Sequence, residues 1–308
     1  MLKSPLFWKI VTLGGAMVLL LIPLMMVRQV IVERADYRGE VEDSIRQSTS
    51  GPQKVVGPLI AIPATELYTR MEDDKEVTRQ RNFIHFWLPE SLMVEGNQNV
   101  EARQIGIYQG QVWHTDTVIN AKFDVSRLSE LDKPFIVVGV GDARGIGVVK
   151  APQMNGTTLV AEPGTGLAQN KEGMHIPLPD NWRQNLDLNM SLNLSGTGSF
   201  SVVPVGRSSE MRLTSNWPHP NFLGDFLPGK REISETGFKA QWQSSWFANN
   251  LGDSLEQGRS WRTLPSFSVA VATQADQYQL TDRATKYAVL LILLTFVSFF
   301  VFETLTGL

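Results

Sequence analysis

Residues 10–27 read IVTLGGAMVLLLIPLMMV and contain no charged side chain, and residues 287–302, YAVLLILLTFVSFFVF, repeat this pattern near the other end of the chain. At 1.5 Å per residue, a helix over the first run is about 27 Å long and one over the second about 24 Å. Both lengths approach the ~30 Å hydrocarbon core of a bilayer. We therefore predict two transmembrane helices, residues 10–29 and 284–305, with a polar domain between them.

The first apolar run also resembles a signal peptide, because Lys3 and Lys9 precede it like a charged n-region. However, the run is longer than the ~7–15 residues of an h-region, and no small-residue cleavage site follows it. An uncleaved anchor is the better interpretation. Pro23 would kink the helix, which neighbouring membrane helices tolerate.

The positive-inside rule predicts the orientation of the chain. Lys3 and Lys9 place residues 1–9 in the cytoplasm, so the central domain lies outside it. Arg283 and Lys286, at the outer end of the second helix, oppose the rule locally. Long translocated domains follow the first helix rather than nearby charges, so the first helix decides.

Composition excludes several classes of function. The chain has 308 residues, 43% of them hydrophobic, and a net charge of −3, which argues against a nucleic-acid partner. Cysteine is absent, which excludes disulfides, thiolate metal sites and cysteine nucleophiles. The segment between the apolar runs is long enough to bury one large core or two ordinary ones.

Residues 30–50 predict an amphipathic helical stalk. Ile31, Ala35, Val41 and Ile45 fall near one helical face, and the Gly-Pro pair at residues 51–52 ends the helix. A helix packed against the domain is favoured over a signalling stalk.

Residues 51–283 predict a mainly β domain of antiparallel sandwich type. Short runs with alternating apolar and polar residues are bounded by Gly, Pro, Asn or Asp throughout this segment. The clearest is residues 185–194, where Leu and Met at every even position predict a half-buried strand. A faint likeness between residues 85–90 and 175–180 raises the alternative of two lobes, 51–150 and 151–283.

Glycines at residues 139–147, GVGDARGIG, invite comparison with a nucleotide-binding loop. The third glycine comes one residue late for GxGxxG, and a strand ended by Pro152 follows instead of a helix. The run therefore predicts a turn between two strands, where Asp142 and Arg144 bond to the backbone or to each other.

No catalytic or metal-binding motif is found in the sequence. The four histidines, at positions 85, 114, 175 and 219, are scattered and form no HExxH pair. No GxSxG elbow or SxxK motif occurs. We expect no catalytic residue, no cofactor and no metal.

Aromatic side chains beside polar ones offer the only candidate binding surface. Trp217, His219 and Phe222 occupy a proline-stiffened loop, and Trp242 lies in a following strand-like run. Such residues can line a groove for a ligand or partner. The alternative is that they close the end of the sandwich or lie at the membrane interface. Trp246, in the same run as Trp242, is expected to pack in the core.

The chain resembles the CreD family of enterobacterial inner-membrane proteins over essentially its whole length. The resemblance is carried by ERADYRGEVEDSIRQSTSGPQK (33–54), GPLIAIP (57–63), FIHFWLPESL (83–92), KPFIVVGVGDARGIGVVKAP (133–152), SNWPHPNFLGDFLP (215–228), WQSSWFANN (242–250) and DQYQLTDRATKYAVLLI (276–292). It implies a multi-pass bacterial inner-membrane protein with its main domain in the periplasm. The family is associated with envelope integrity, tolerance to a colicin and the regulon of the Cre two-component system. It has no defined biochemical activity.

The resemblance also implies that family members continue past the position of Leu308 into further membrane helices, so residues 306–308 are expected to be a truncated end or the end of a shortened homologue. The expected function is non-enzymatic: the periplasmic domain binds or braces envelope components, cell-wall material or another membrane protein, beside the lipid bilayer. A ligand-sensing domain that signals through its helices is the alternative, and an envelope hydrolase or transferase comes third.

Overall fold

The computed structural model describes residues 5–72, 75–106, 108–126, 128, 133–179, 182, 186–248, 251–256, 260–271 and 277–306. Lys3, Asn185 and residues 307–308, on which predictions from the sequence rest in part, lie outside the described residues. The chain forms two units: one of Met1–Ser44 with Thr273–Leu308, and one of Ile45–Ala272, which we call the β unit.

Three α-helices and sixteen strands form the described part of the chain. In order they are α1 (Pro5–Ser48), β1 (Gln53–Glu72), β2 (Lys75–Trp87), β3 (Ser91–Ile105), β4 (Tyr108–Phe123), β5 (Phe135–Gly139), β6 (Ile146–Met154), β7 (Thr157–Thr158), β8 (Glu162–Pro163), β9 (Gly173–Pro177), β10 (Leu186–Thr197), β11 (Ser199–Val202), β12 (Ser208–Ser215), β13 (Pro220–Gly224), β14 (Lys230–Ser234), β15 (Gly237–Ser245), α2 (Leu251–Glu256), β16 (Phe267–Val271) and α3 (Gln277–Thr306). Short 3-10 helices lie at Ala143–Gly145, Trp246–Ala248 and Trp261–Thr263.

The first unit contains the two apolar helices. Ile10–Ser48 of α1 and Thr281–Phe302 of α3 are long and apolar enough to cross a membrane. Their leucine side chains are largely exposed, which suits contact with lipid rather than water. Asp282 of α3 pairs with Lys286 one turn away at 2.6 Å and approaches Arg28 of α1 to 3.9 Å. Helix α1 continues without a break past Pro23 and through residues 30–48.

The β unit contains two eight-stranded sheets. The first has the order β13-β16-β11-β1-β5-β9-β8, with β2 paired to β1 off this path. The second has the order β14-β15-β12-β3-β4-β10-β6-β7. Strand β10 confirms the half-buried strand predicted from its alternation, because Leu186, Leu188 and Met190 are buried and the residues between them are exposed.

Side chains from both sheets share one hydrophobic core. Trp113 of β4 and Phe200 of β11, both fully buried, meet edge to face with ring centroids 5.5 Å apart. Because β4 belongs to the second sheet and β11 to the first, this contact joins the two sheets. Burial of such large aromatic side chains contributes roughly 1.5–3 kcal/mol each.

Two expectations about the β segment need correction. The pairing is not wholly antiparallel, because β1 runs parallel to β11 and β12 parallel to β3. Nor do residues 51–150 and 151–283 form separate lobes, because each sheet contains strands from both segments. The physical reason is the same in both cases: strands far apart in sequence become neighbours through long connections, which leave their relative direction free.

Candidate functional site

A network of hydrogen bonds surrounds the point where α1 ends and the sheets begin. Arg144 Nη1 donates to the carbonyl of Gln47 at 2.8 Å, in the last turn of α1. A cation at this position suits the partial negative charge of a helix C-terminus and satisfies a carbonyl that has no partner within the helix. Ile45, two residues earlier, is buried and lies against Gly110 of β4.

Asp142 holds Arg144 in place and also binds the chain beyond the helix. The Nη2 and Nε groups of Arg144 donate to the two carboxylate oxygens at 2.7 and 3.0 Å. The backbone amide of Gly51 donates to the same carboxylate at 2.9 Å. The hydrogen bonds from Arg144 and Gly51 lower the pKa of Asp142 from 3.8 to about 2, against a smaller opposing effect of burial.

Gln53, which is fully buried, completes the network. Its Nε2 donates to the carbonyls of Asp142 at 2.9 Å and Ser195 at 3.0 Å, and its Oε1 accepts from the Asp142 amide at 3.2 Å. Ser50 Oγ donates to the Ser195 carbonyl at 2.7 Å. We call Ser50, Gly51, Gln53, Asp142, Arg144 and Ser195 the polar junction. Its members come from three segments distant in sequence.

Two glycines of the GVGDARGIG run, Gly141 and Gly145, allow the close backbone approach on which the polar junction depends. A Cβ on Gly145 would lie 2.1 Å from Gln53 Nε2 and 2.3 Å from the Ser195 carbonyl. A Cβ on Gly141 would lie 2.5 Å from the carbonyl of Pro52. Close approach of backbone, rather than phosphate binding, therefore explains these glycines. The predicted bonding of Asp142 with Arg144 is confirmed, whereas sequence analysis missed Ser50, Gln53 and Ser195.

Two adjoining cavities lie beside the polar junction, of about 270 and 600 Å³. Both are lined by Lys54, Gly141, Glu172 and Arg262. Lys171 lines the smaller cavity, and Arg46, Asp142 and Arg144 line the larger one. We call the two cavities together the basic pocket.

Lys54 is the most enclosed cation of the basic pocket. Its Nζ donates to the carbonyl of Arg262 at 2.9 Å and to the carbonyl of Leu264. Burial lowers the pKa of Lys54, and the charge of Asp225 partly offsets this effect. No carboxylate among the described residues lies within ion-pair distance of Lys54 Nζ, so backbone carbonyls hold the ammonium group.

The structure divides the four residues proposed as an aromatic binding surface into two pairs, Trp242 with Phe222 and Trp217 with His219. Trp242 is fully buried and its ring centroid lies 5.7 Å from that of Phe222 and 6.5 Å from that of Phe267. Trp242 therefore belongs to the core, which corrects its assignment to a surface. We call Phe222, Phe238, Trp242 and Phe267 the aromatic cluster; its rings come from both sheets.

The other candidates lie at the margin of the core. Trp217 is half-buried and donates from Nε1 to the carbonyl of His219 at 3.0 Å, while the His219 ring meets it edge to face. Phe222 is half-buried against the aromatic cluster. Trp246, expected in the core, is 37% exposed, and the guanidinium of Arg207 lies 5.5 Å from its ring centroid. Its strand β15 ends at Ser245, so the inward alternation stops before Trp246.

The histidines lie in separate environments. His114 Nδ1 lies 2.9 Å from Ser195 Oγ on an exposed strand face, and His175 Nδ1 lies 2.7 Å from the carbonyl of Gly164. Over the described ranges, no three His, Asp or Glu side chains form a group that could hold a metal.

Comparison with known proteins gives a consistent result. A family model described as "Inner membrane protein CreD" matches residues 5–308. The "Inner membrane protein CreD" of Escherichia coli (strain K12) is 73% identical over 318 residues, an alignment that covers 100% of this chain and 71% of that relative.

Proposed function

Since the chain belongs to the CreD family of inner membrane proteins, we propose that it supports cell-envelope integrity without catalysing a reaction. The β unit lies in the periplasm, where it binds or braces envelope components or a partner in the membrane. Its two sheets face each other as a sandwich, and one membrane-spanning helix precedes and another follows the β unit in the sequence. Membership of the family supports the envelope role, and the hydrogen bonds of the polar junction support the bracing role.

The observation that carries the bracing role is the bonding of the last turn of α1, which belongs to the β unit, to the strands and loops of that unit. Arg144 joins the Gln47 carbonyl to Asp142, and Asp142 joins Arg144 to Gly51. Charge-assisted, bidentate contacts of this kind are among the stronger hydrogen bonds and allow one geometry. A flexible tether needs no such network, so the network supports transmission of position or force between the helix and the sheets.

A periplasmic position for the β unit rests on the charges before the first apolar run. The absence of cysteine makes the test simple, because a single introduced cysteine is the only thiol. Cysteines replacing the exposed residues Gln169 and Lys230 should react with a membrane-impermeant maleimide in whole cells. Reaction only after lysis would place the β unit in the cytoplasm.

The alternative, a ligand-sensing domain, is supported by one feature. Gly51, Asp142 and Arg144 of the polar junction also line the larger cavity of the basic pocket. A ligand in this cavity would contact the same side chains that hold the end of α1. An enzymatic role has less support: the His114–Ser195 contact lies on an exposed strand face and lines neither cavity of the basic pocket.

Rescue of a deletion strain tests the proposed function. Cells that lack the protein should become sensitive to detergent or colicin, and the native chain should restore tolerance. The double variant Asp142→Asn/Arg144→Gln should be present in the membrane at native amounts yet restore tolerance poorly. Lys230→Gln, on the exposed strand β14, is the matched control. A deletion without an envelope defect would contradict the envelope role, and full rescue by the double variant would contradict bracing through the polar junction.

A further inference from the structure

We propose that the basic pocket is a binding site for a phosphate group, carried by an anionic lipid headgroup or by a soluble phosphorylated molecule. The inference rests on the proposed function, because it names the chemical class of envelope component that the β unit binds. Three observations support it: the charges of the side chains that line the two cavities, the hydrogen bonds and ion pairs of those side chains, and the volume of the cavities.

The basic pocket has an excess of positive charge. Its cations are Arg46, Lys54, Arg144, Lys171 and Arg262, and its carboxylates are Asp142 and Glu172, so five positive charges face two negative ones. Asp142 is already bonded to Arg144 at 2.7 Å. The Asp142–Arg144 pair therefore has no net charge. Of the two lining carboxylates, Glu172 is then the one whose charge offsets that of the remaining cations.

Three of these cations form no ion pair with the described residues, although the charge of Asp225 acts on Lys54 from a greater distance. Among the described residues, no carboxylate lies within ion-pair distance of Lys54, Lys171 or Arg262. Like charges that surround one concave surface repel each other, and low-dielectric walls strengthen the repulsion. Glu172 and the nearby charge of Asp225 offset only part of this positive charge, so the pocket keeps a net positive charge that suits an anionic phosphate group. An anion in the pocket would relieve the repulsion.

The side chains also offer suitable donors. The guanidinium of Arg262 is exposed, and its Nη2 has only a long contact, 3.4 Å, to the Gly141 carbonyl. Guanidinium forks bind phosphate oxygens in pairs, and lysine ammonium groups bind them as point charges. The site thus differs from the nucleotide loop rejected from the sequence, because side-chain cations rather than backbone amides supply the charge.

The dimensions favour a phosphate that is part of a larger molecule. The larger cavity, about 600 Å³, is in the range of sites for drug-sized ligands and exceeds the needs of a free ion. Val56, Val140 and the ring of Trp261 line the smaller cavity and offer an apolar surface beside the charges. A headgroup with glycerol or sugar attached to the phosphate would occupy both parts.

Thermal unfolding of the full chain in neutral detergent tests the site with inorganic phosphate. Phosphate should raise Tm in a saturable way, beyond chloride at equal ionic strength, since a ligand that binds the folded state stabilises it. In Lys171→Gln/Arg262→Gln the half-saturating concentration should rise at least about tenfold, because each lost contact is charge-assisted. Lys171→Arg should retain binding, and Lys230→Gln/Arg231→Gln, which removes the same charge from β14, should behave as native.

Equal shifts with chloride and phosphate, or an unchanged response of the double variant, would overturn the site. Nanodiscs of phosphatidylglycerol and phosphatidylcholine distinguish the two sources of the phosphate. Stabilisation by phosphatidylglycerol that is lost in Lys171→Gln/Arg262→Gln, and to which free glycerol phosphate adds little, would support a lipid headgroup. Stabilisation by glycerol phosphate alone would support a soluble ligand. If a variant that has lost phosphate binding still rescues the deletion strain, the pocket is irrelevant to envelope integrity and the proposed function stands on its other support.

Discussion

The polar junction and the aromatic cluster join distant parts of the chain in opposite ways. In the polar junction, Gln53 and Asp142 bond to partners through directional contacts of 2.7 to 3.2 Å. In the aromatic cluster, Trp242 and Phe267 meet through stacked rings 6.5 Å apart, and the burial of apolar surface rather than hydrogen bonding stabilises them. The first region thus depends on geometry, and the second on volume. The substitutions below each disturb one of the two regions, and so test whether its stability depends on hydrogen-bond geometry or on packed volume.

The largest effect is expected from removal of volume in the aromatic cluster. Trp242→Ala should lower the free energy of unfolding by about 3–5 kcal/mol, since Trp242 is fully buried. Trp242→Phe should cost much less, because Trp242 Nε1 has no hydrogen-bond partner among the described residues. Chemical denaturation of the full chain in detergent, followed by near-ultraviolet circular dichroism, measures both. Equal losses would mean that this cluster also depends on a specific polar contact.

A smaller effect should come from added volume in the polar junction. Gly145→Ala should destabilise the protein by about 3 kcal/mol, because the new methyl group overlaps Gln53 Nε2 and the Ser195 carbonyl. Gly229→Ala is the control, since no neighbouring atom lies within 4 Å of the position that its new methyl group would occupy. Chemical denaturation in detergent, followed by near-ultraviolet circular dichroism, compares the free energies of unfolding of the two variants. Similar stability of the two variants would show that the polar junction can rearrange.

Acid should weaken the polar junction but not the aromatic cluster. Because the folded pKa of Asp142 is lowered to about 2, its ionised form stabilises the protein fully above its ordinary pKa of 3.8. That stabilisation is lost as the pH falls through the folded pKa. The difference in unfolding free energy between native protein and Asp142→Asn, about 1 kcal/mol after allowance for solvent screening, should therefore shrink between pH 4 and 2. A difference that stays constant over this range would contradict the assignment.

The smallest effect is expected just outside the aromatic cluster. Trp246→Ala should change the unfolding free energy by less than about 1 kcal/mol, because Trp246 is 37% exposed and packs mainly beneath Arg207. Arg207→Gln should reproduce most of that loss, and the double variant should add little to it. A loss of several kcal/mol for Trp246→Ala would restore the core position that its sequence context suggests.

Local patterns in the sequence predict what depends on neighbours along the chain. The apolar runs, the alternation of β10 and the contact between Asp142 and Arg144 are all of this kind. Trp242 also had a signal, because Phe238, Ala240 and Trp242 share one strand face and are all buried. The polar residues on either side of Trp242 lie on the opposite face of the strand. Their presence suggested a polar binding surface and hid the alternation of apolar and polar residues.

Contacts between distant segments could not be predicted in the same way. The register that places Gln53 beside Ser195 depends on β1 pairing in parallel with β11, and nothing in either strand specifies its partner. The basic pocket has the same origin, because its cations lie at positions 46, 54, 144, 171 and 262. Isolated lysines and arginines of this kind are ordinary surface residues until the fold brings them together.

The place of β1 in its sheet also determines the order in which the protein can assemble. Gln53 pairs with Phe200, so 147 residues must be made after Gln53 before this side of β1 acquires its neighbour. At about 5–20 residues per second, synthesis of that length takes roughly 7–30 s. Throughout that interval the N-terminal end of β1, with the buried Val55 that pairs with Val202, lacks this neighbour. Early capture of this end of β1 by a chaperone would therefore protect an unpaired strand edge of the nascent chain.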